Sequence, residues 1–292
     1  MRFLELNCGT SDAGLQRGLE QHLVSVGYSY QSLKAADVAI VLTRGMHRVY
    51  HQGNELPFQF DTAFVRGRGI HAHMTSLLVR LLKHQNTKIF GSQSAGEFTH
   101  NDGKITQMVD LTLHDLPIPD TFIFSKSISP YLGALVEKEQ ISFPSVLKKT
   151  GSKGSCVWKV GTVDEVLEHL SEAATGELFL LQEFIPNTFD IRALYFNRVF
   201  LGAMARKSAD GFYNNASLGA TVESIVLTPE EHELSLKACA VLQQDFAGVD
   251  IVRSERGPLF FEINNRPGYE GFERATHIDV GTALAKIIAA SN

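Results

Sequence analysis

GVDIVRSERGPLFFEINNRPG, residues 248 to 268, holds two apolar runs, and each carries an acid where a core strand would have none. Alternation along PLFFEINN puts Leu259, Phe261 and Ile263 on one face and Phe260, Glu262 and Asn264 on the other. If Ser254 to Pro258 form the hairpin loop, Asp250 falls directly opposite Glu262. A loop one residue shorter leaves them on a diagonal. Facing carboxylates repel and destabilise a sheet unless a positive group stands between them. Oxygen ligands without sulfur or imidazole point to magnesium or manganese rather than zinc, and such a cation shares substrate phosphates. The other reading is two solvated acids on a half-exposed sheet. Asn264 on the same face, and the Pro267-Gly268 turn just beyond it, favour a metal set of Asp250, Glu262 and Asn264.

Working outward, LFLLQEFI, DIRALYFN and RVFLGAMARK read as strands before this pair. TPEEHELSLKACAVLQQDF reads as a helix with Thr228 as its N-cap and acids in its first turn. These form a strand-rich unit over residues 179–292. A central unit over 101–178 begins with the helix of NDGKITQMVDLTLHD. It continues with a strand after the proline turn, the helix of ISPYLGALVEKEQ, the strand FPSVLKK and VWKV. In residues 1–100, RFLEL, ADVAIVLT, TAFVRG and TKIFG are strands, and GLQRGLEQHLVSVG and MTSLLVRLLKHQN are helices. Such alternation predicts a mostly parallel sheet. The fold class is therefore α/β followed by α+β.

A chain of 292 residues is too long for one simple core and implies two or three packed domains. Its net charge of −5 gives no general attraction to nucleic acid or anionic membrane, so any phosphate affinity must be local. Three scattered cysteines, Cys8, Cys156 and Cys239, form no CxxC pair and fit a reducing compartment. No signal-peptide run or membrane span is present, and the expected location is the cytoplasm.

Local basic groups are found in FPSVLKKTGSKGSCV. Its lysines end a strand, and a loop with Gly151 and Gly154 follows, whose backbone N–H groups can turn towards phosphate oxygens. Lys148 and Lys149 leave opposite faces, so one at most serves a site. The pattern is not Walker A, whose lysine follows its glycines into a helix. Gln182 and Glu183 can offer backbone groups to an adenine edge, or simply interrupt a core strand. Asp190 and Arg192 share one strand face, and Arg206 and Lys207 follow on the next strand.

Taken together, DIRALYFN, FYNNASLGA, GVDIV and FFEINNRPGYEGFERATHIDVG resemble the ATP-grasp ligases. The most similar branch is that of the RimK-like ligases, which include glutamate ligases, over about Asn101 to Ala285. The resemblance implies ATP between two α+β subdomains, an N-terminal α/β domain before them, and magnesium or manganese. It implies phosphorylation of a carboxylate, attack by an amine, and release of ADP and phosphate. By motif, Lys104 and Lys148 are the implied phosphate lysines, with Gly151, Ser152 and Gly154 in the loop above. Gln182, Glu183 and Ile185 match the adenine-binding linker, and Asp190 lies near the ribose. Arg192, Arg206 and Asn215 are the implied catalytic groups around the phosphates, and Asp250, Glu262 and Asn264 the metal ligands.

Three departures bear on the substrate. Leu218 stands where lids of the branch carry an arginine, Cys156 where a further glycine is common, and Arg266 where a small residue often follows the asparagine. Arg266, with Arg66 and Arg68 of FVRGRG, can bind a substrate carboxylate or form structural ion pairs. The implied partners are a small carboxylate and an amine, or a peptide acceptor, with no nucleic acid or membrane; family members are often dimers or tetramers. The rival readings are a cyclising ligase or kinase with the same phosphate groups, and a nucleotide-binding regulator. Both lysines, Arg192 and all three oxygen ligands weigh against the regulator.

Overall fold

A computed structural model describes residues 1–7, 13–43, 46–66, 72–91, 103–149, 157–174, 176–207 and 221–291. The chain opens with β1 (Arg2–Asn7), α1 (Ala13–Ser25) and β2 (Ser29–Lys34), then β3 (Val38–Thr43), β4 (Met46–His51) and β5 (Asn54–Leu56). β6 (Thr62–Arg66), α2 (Ala72–His84) and β7 (Lys88–Phe90) complete this part. The order β2-β1-β6-β7, parallel at each pairing, is the sheet that strand–helix alternation predicts. β3 departs from that expectation. It pairs antiparallel with β4, and β4 with β5, in a separate sheet. Two residues separate β3 from β4, and a parallel crossover needs a dozen or more.

The central part holds α3 (Lys104–Leu113), β8 (Thr121–Ser125), α4 (Leu132–Lys138), β9 (Ser145–Lys149), β10 (Val157–Val160), α5 (Val163–Leu170) and β11 (Leu178–Glu183). Its sheet runs antiparallel in the order β10-β9-β11-β8. The sequence reading grouped β11 with the strands after it, but β11 is hydrogen-bonded between β9 and β8. Its alternation explains the sheet's two faces. Phe179 and Leu181 join Leu147, Val166 and Leu132 in a core of this layer's own, whereas Leu180 faces the opposite core with Met108.

The remainder comprises β12 (Asp190–Phe196), β13 (Val199–Lys207), β14 (Thr221–Ser224), α6 (Pro229–Val241), β15 (Phe246–Ser254), β16 (Gly257–Asn264), α7 (Glu270–Thr276) and α8 (Val280–Ala290). An antiparallel sheet runs in the order β14-β13-β12-β15-β16. α6 starts in the expected way. Thr228 Oγ1 accepts from Glu231 N at 3.1 Å, and Glu231 Oε2 accepts from Thr228 N at 2.8 Å, satisfying two free donors of the first turn.

β12 serves two cores because successive side chains alternate faces. Ile191, Ala193 and Tyr195 pack with Met108 and Leu111 from α3, Ala238 from α6 and Leu242 just after it. Leu194 and Phe196 meet Phe3, Phe64, Phe90 and Phe246, so the N-terminal and C-terminal sheets share one core. The Phe64 and Phe196 rings lie edge to face at 5.7 Å. α1 and α8 close over this core through a glycine contact: a Cβ on Gly281 would stand 2.5 Å from Leu15 O. Cys239 is a free thiol that burial pushes up to about 12, far from reactive. Among the described residues, no helix is long and apolar enough to cross a membrane.

Candidate active site

The face of the C-terminal sheet that buries Leu194, Phe196, Met204 and Phe246 turns polar at one end. β12 contributes Asp190 and Arg192 there, β13 Arg206, β15 Asp250 and β16 Glu262 and Asn264. Register produces this convergence, since Asp190 pairs with Arg206, Arg192 with Asp250, and Asp250 with Glu262.

The last pairing arises differently from the expected route. Ser254 pairs with Gly257, so the hairpin turn is Glu255-Arg256, shorter than the predicted loop. That turn alone would place Asp250 against Phe261. The register shifts between Asp250 and Ile251, leaving Phe261 as an extra residue on β16, and the two acids again stand opposite. The bulge also corrects the predicted faces. Phe260 and Ile263 share the core against α3 and α6, whereas Phe261 packs with Leu259, Val252 and Ile185.

The positive charge that facing acids require is supplied by arginines. Arg192 makes a two-pronged contact with Asp250, Nε to Oδ1 and Nη2 to Oδ2, both at 2.7 Å. Arg206, only 3% exposed, donates Nε to Asp190 Oδ1 at 2.6 Å and Nη2 to Asp190 Oδ2 at 2.9 Å. The same Nη2 reaches Asp250 Oδ2 at 3.1 Å. Burial opposes the charge on Asp250, but Arg192 and Arg206 outweigh it and hold its carboxyl below the usual range. At Asp190 burial prevails over Arg206, aided by the Asp250 charge, and raises the carboxyl to about 6. Asp250 is thus a fixed anion and Asp190 the titratable member. Asn264 completes the group. With its amide oriented by its neighbours, oxygen accepts from Arg192 Nη2 and nitrogen donates to Glu262 Oε1, each at 3.2 Å.

These side chains fit a hard divalent cation by their chemistry: two carboxylates and an amide, with no thiolate or imidazole. Asp250 Oδ2 receives both arginines, while Oδ1 receives Arg192 alone among the described side-chain bonds. A carboxylate oxygen has two lone pairs, so Oδ1 retains one for a cation.

The central sheet faces this group through Lys148. Its Nζ donates to Gln182 Oε1 at 2.5 Å and lies 5.6 Å from the centre of the Phe261 ring. Lys149 leaves the other face and pairs with Glu177 at 2.7 Å. Gln182 is buried and donates to Thr121 Oγ1 at 2.9 Å. The Glu183 carboxylate pairs with Arg256 of the hairpin turn, which joins the central sheet to β15 and β16. Asp190 has its carboxylate engaged by Arg206. Asn215, Gly151, Ser152, Gly154 and Arg68 lie outside the described residues. So does the side chain of Lys104, which begins α3.

Arg66 ends β6, 6% exposed, its guanidinium 5.1 Å over the Tyr269 ring. Burial, set against the Tyr269 hydroxyl and reinforced by Arg266, lowers it to about 10. Arg66 and Arg266 thus repel one another beside the C-terminal end of β16. The loop between Asn264 and Tyr269 is pressed onto β15 at Gly248, where a Cβ would stand 2.6 Å from Pro267 Cβ.

Sequence reading missed three neighbours. Phe261 was assigned to the opposite face, and Tyr269 has no local signal of its partner. Gln107 lies on α3, with Nε2 donating to Ile263 O at 2.7 Å and Oε1 accepting from Ile263 N at 3.1 Å. Its signal was a polar residue one turn before Leu111 on a helix that buries Leu111.

Residues 102–288 match the RimK-like ATP-grasp domain. A protein of Aeromonas salmonicida (strain A449) named probable alpha-L-glutamate ligase is 32% identical over 248 residues, covering 82% of this chain and 80% of that one. Among solved structures, ATP-grasp ligase PsnB complexed with minimal precursor, Mg and ADP has a TM-score of 0.75 at 13% identity. That match covers 99% of this chain and 96% of the other. A RimK domain protein from Sphaerobacter thermophilus DSM 20745 has a TM-score of 0.66 at 19% identity over 98% of both chains. The two structures speak for the fold, and the family match and the Aeromonas relative for descent. The chain belongs to the RimK-like ATP-grasp family of ADP-forming carboxylate–amine ligases.

Proposed function

We propose that this protein binds ATP between the central and C-terminal sheets and joins L-glutamate, through its amine, to a carboxylate acceptor. The observation that carries this reading is the Asp250–Glu262 pair, flanked by Arg192, with Lys148 over the ring of Phe261 next to Glu262. The name of the Aeromonas relative supports glutamate. The acceptor is a small carboxylate or a peptide terminus.

Magnesium, or manganese, held by Asp250, Glu262 and Asn264 would neutralise the charge of the ATP phosphates. Lys148 meets the phosphates as a point charge, and Arg192 lies beside Asp250 where negative charge develops as the phosphoryl group moves. The acceptor carboxylate oxygen bonds the terminal phosphorus while the bond to ADP breaks. The glutamate nitrogen then bonds the acyl carbon, phosphate leaves, and the nitrogen loses a proton. Positioning and charge supply the catalysis, and no side-chain nucleophile is required. Gln182, Glu183 and Ile185 border the nucleotide, and Arg266, backed by Arg66, recognises a carboxylate of the substrate that does not react.

The test is ADP release with L-glutamate and a panel of carboxylates, followed by product mass. A product heavier by one glutamyl residue is expected. ADP with a phosphorylated product would favour a kinase, and nucleotide binding with no ADP on any acceptor would favour a regulator.

A further inference from the structure

β16 is the outer strand of its sheet, so half of its peptide groups point away from β15. A buried edge must find other partners for them. Phe260 N donates to Pro117 O at 2.9 Å. At Ile263 the partner is a side chain: the Gln107 amide, 4% exposed, meets both N–H and C=O of this one residue, as a neighbouring strand would.

Ile263 stands between Glu262 and Asn264, so a rotation of its peptide planes moves both side chains together. Such rotation is encouraged nearby, because the extra residue at Phe261 interrupts the ladder on the inner edge. The next residue of α3, Met108, receives Gln182 Nε2 on its sulfur at 3.7 Å, and Gln182 holds Lys148. Consecutive residues of one helix thus touch both halves of the site.

We propose that Gln107 is a positioning residue of the metal site, locking β16 so that Glu262 and Asn264 stay aligned with Asp250. Through Met108 and Gln182, α3 sets the spacing between that group and Lys148. This rests on the ligase reading above, in which Asp250, Glu262 and Asn264 hold the cation.

The experiment titrates Mg2+ against binding of AMPPNP, which needs neither turnover nor acceptor, in wild type, Gln107→Leu and Gln107→Glu. Gln107→Leu is expected to raise the Mg2+ concentration at half-saturation about tenfold, with AMPPNP affinity at saturating Mg2+ within about twofold of wild type. A protonated glutamic acid has the donor and acceptor of an amide, and burial raises its pKa. Gln107→Glu should therefore approach wild type as pH is lowered from about 8 to about 6, each pH compared with wild type at that pH. A lower melting temperature with unchanged Mg2+ half-saturation in Gln107→Leu would overturn the proposal, as would no recovery of Gln107→Glu. Wild-type binding of AMPPNP that ignores Mg2+ would instead remove the metal-site reading itself, and is legible before any variant is compared.

Discussion

Asp250 stands directly across from Glu262 although the hairpin between them is one residue too short for that register, because β16 carries an extra residue at Phe261. The two acids meet as neighbours in unlike surroundings, Asp250 beneath two arginines and Glu262 partly open.

That difference separates two variants. Glu262→Gln should cut ADP formation by about a hundredfold with little change in melting temperature, since a ligand is lost and no buried charge is left alone. Asp250→Asn should lose activity and also about 3 kcal/mol of stability, because the buried Arg206 and its neighbour Arg192 lose a shared partner. A coupled ADP assay and thermal unfolding check both. Equal destabilisation by the two would remove the distinction.

Asp190 gives the site an acid limb. As pH falls through about 6 its carboxylate protonates, Arg206 loses half of its charge partners, and activity should fall. The effect on stability has the opposite sign. The folded value lies above the ordinary 3.8, so the ionised residue is a folding cost present above about pH 6 and relieved as pH drops. Asp190→Asn should lower the plateau and flatten this limb of the pH–rate profile. A limb unmoved by the substitution would assign it to another group.

Lys148→Met should weaken ATP binding about tenfold or more, the loss expected for a charged contact with phosphate. Gln182 keeps its bond to Thr121 in this variant, so the central sheet should stay folded. Equilibrium titration with ATP measures the effect, and an unchanged affinity would take Lys148 out of the site.

Removal of divalent cations should abolish the rise in melting temperature that ATP produces. A ligand at a hundred times its dissociation constant stabilises the native state by about 2.7 kcal/mol, and chelation removes the affinity on which this depends. Thermal unfolding with ATP, in Mg2+ and then in excess EDTA, makes the comparison. A rise that survives EDTA would detach nucleotide binding from the acids.

What was legible in the sequence follows from the range of each signal. Alternation marked β12, β13, β15 and β16, and Thr228 announced the start of α6. β3 looked like its parallel neighbours because apolar composition does not encode a partner; the short link to β4 did. The extra residue at Phe261 has no local signature, as phenylalanine suits a regular strand equally well. By resemblance Arg206 was a catalytic group around the phosphates, and its contacts with Asp190 and Asp250 are set by the pairing of three strands. Tyr269 under Arg66 joins distant parts of the chain, beyond any local pattern.

The aromatic cluster of Phe64, Phe90, Phe196 and Phe246 has a mechanical consequence. It welds the first ninety residues to the last hundred, while β8 to β11 keep most of their apolar side chains in a separate core. The jaw with the least apolar packing against the rest is therefore the middle of the chain, β8 to β11. Its amide hydrogens should exchange with solvent before those of the welded body, and slow when ATP closes the bite.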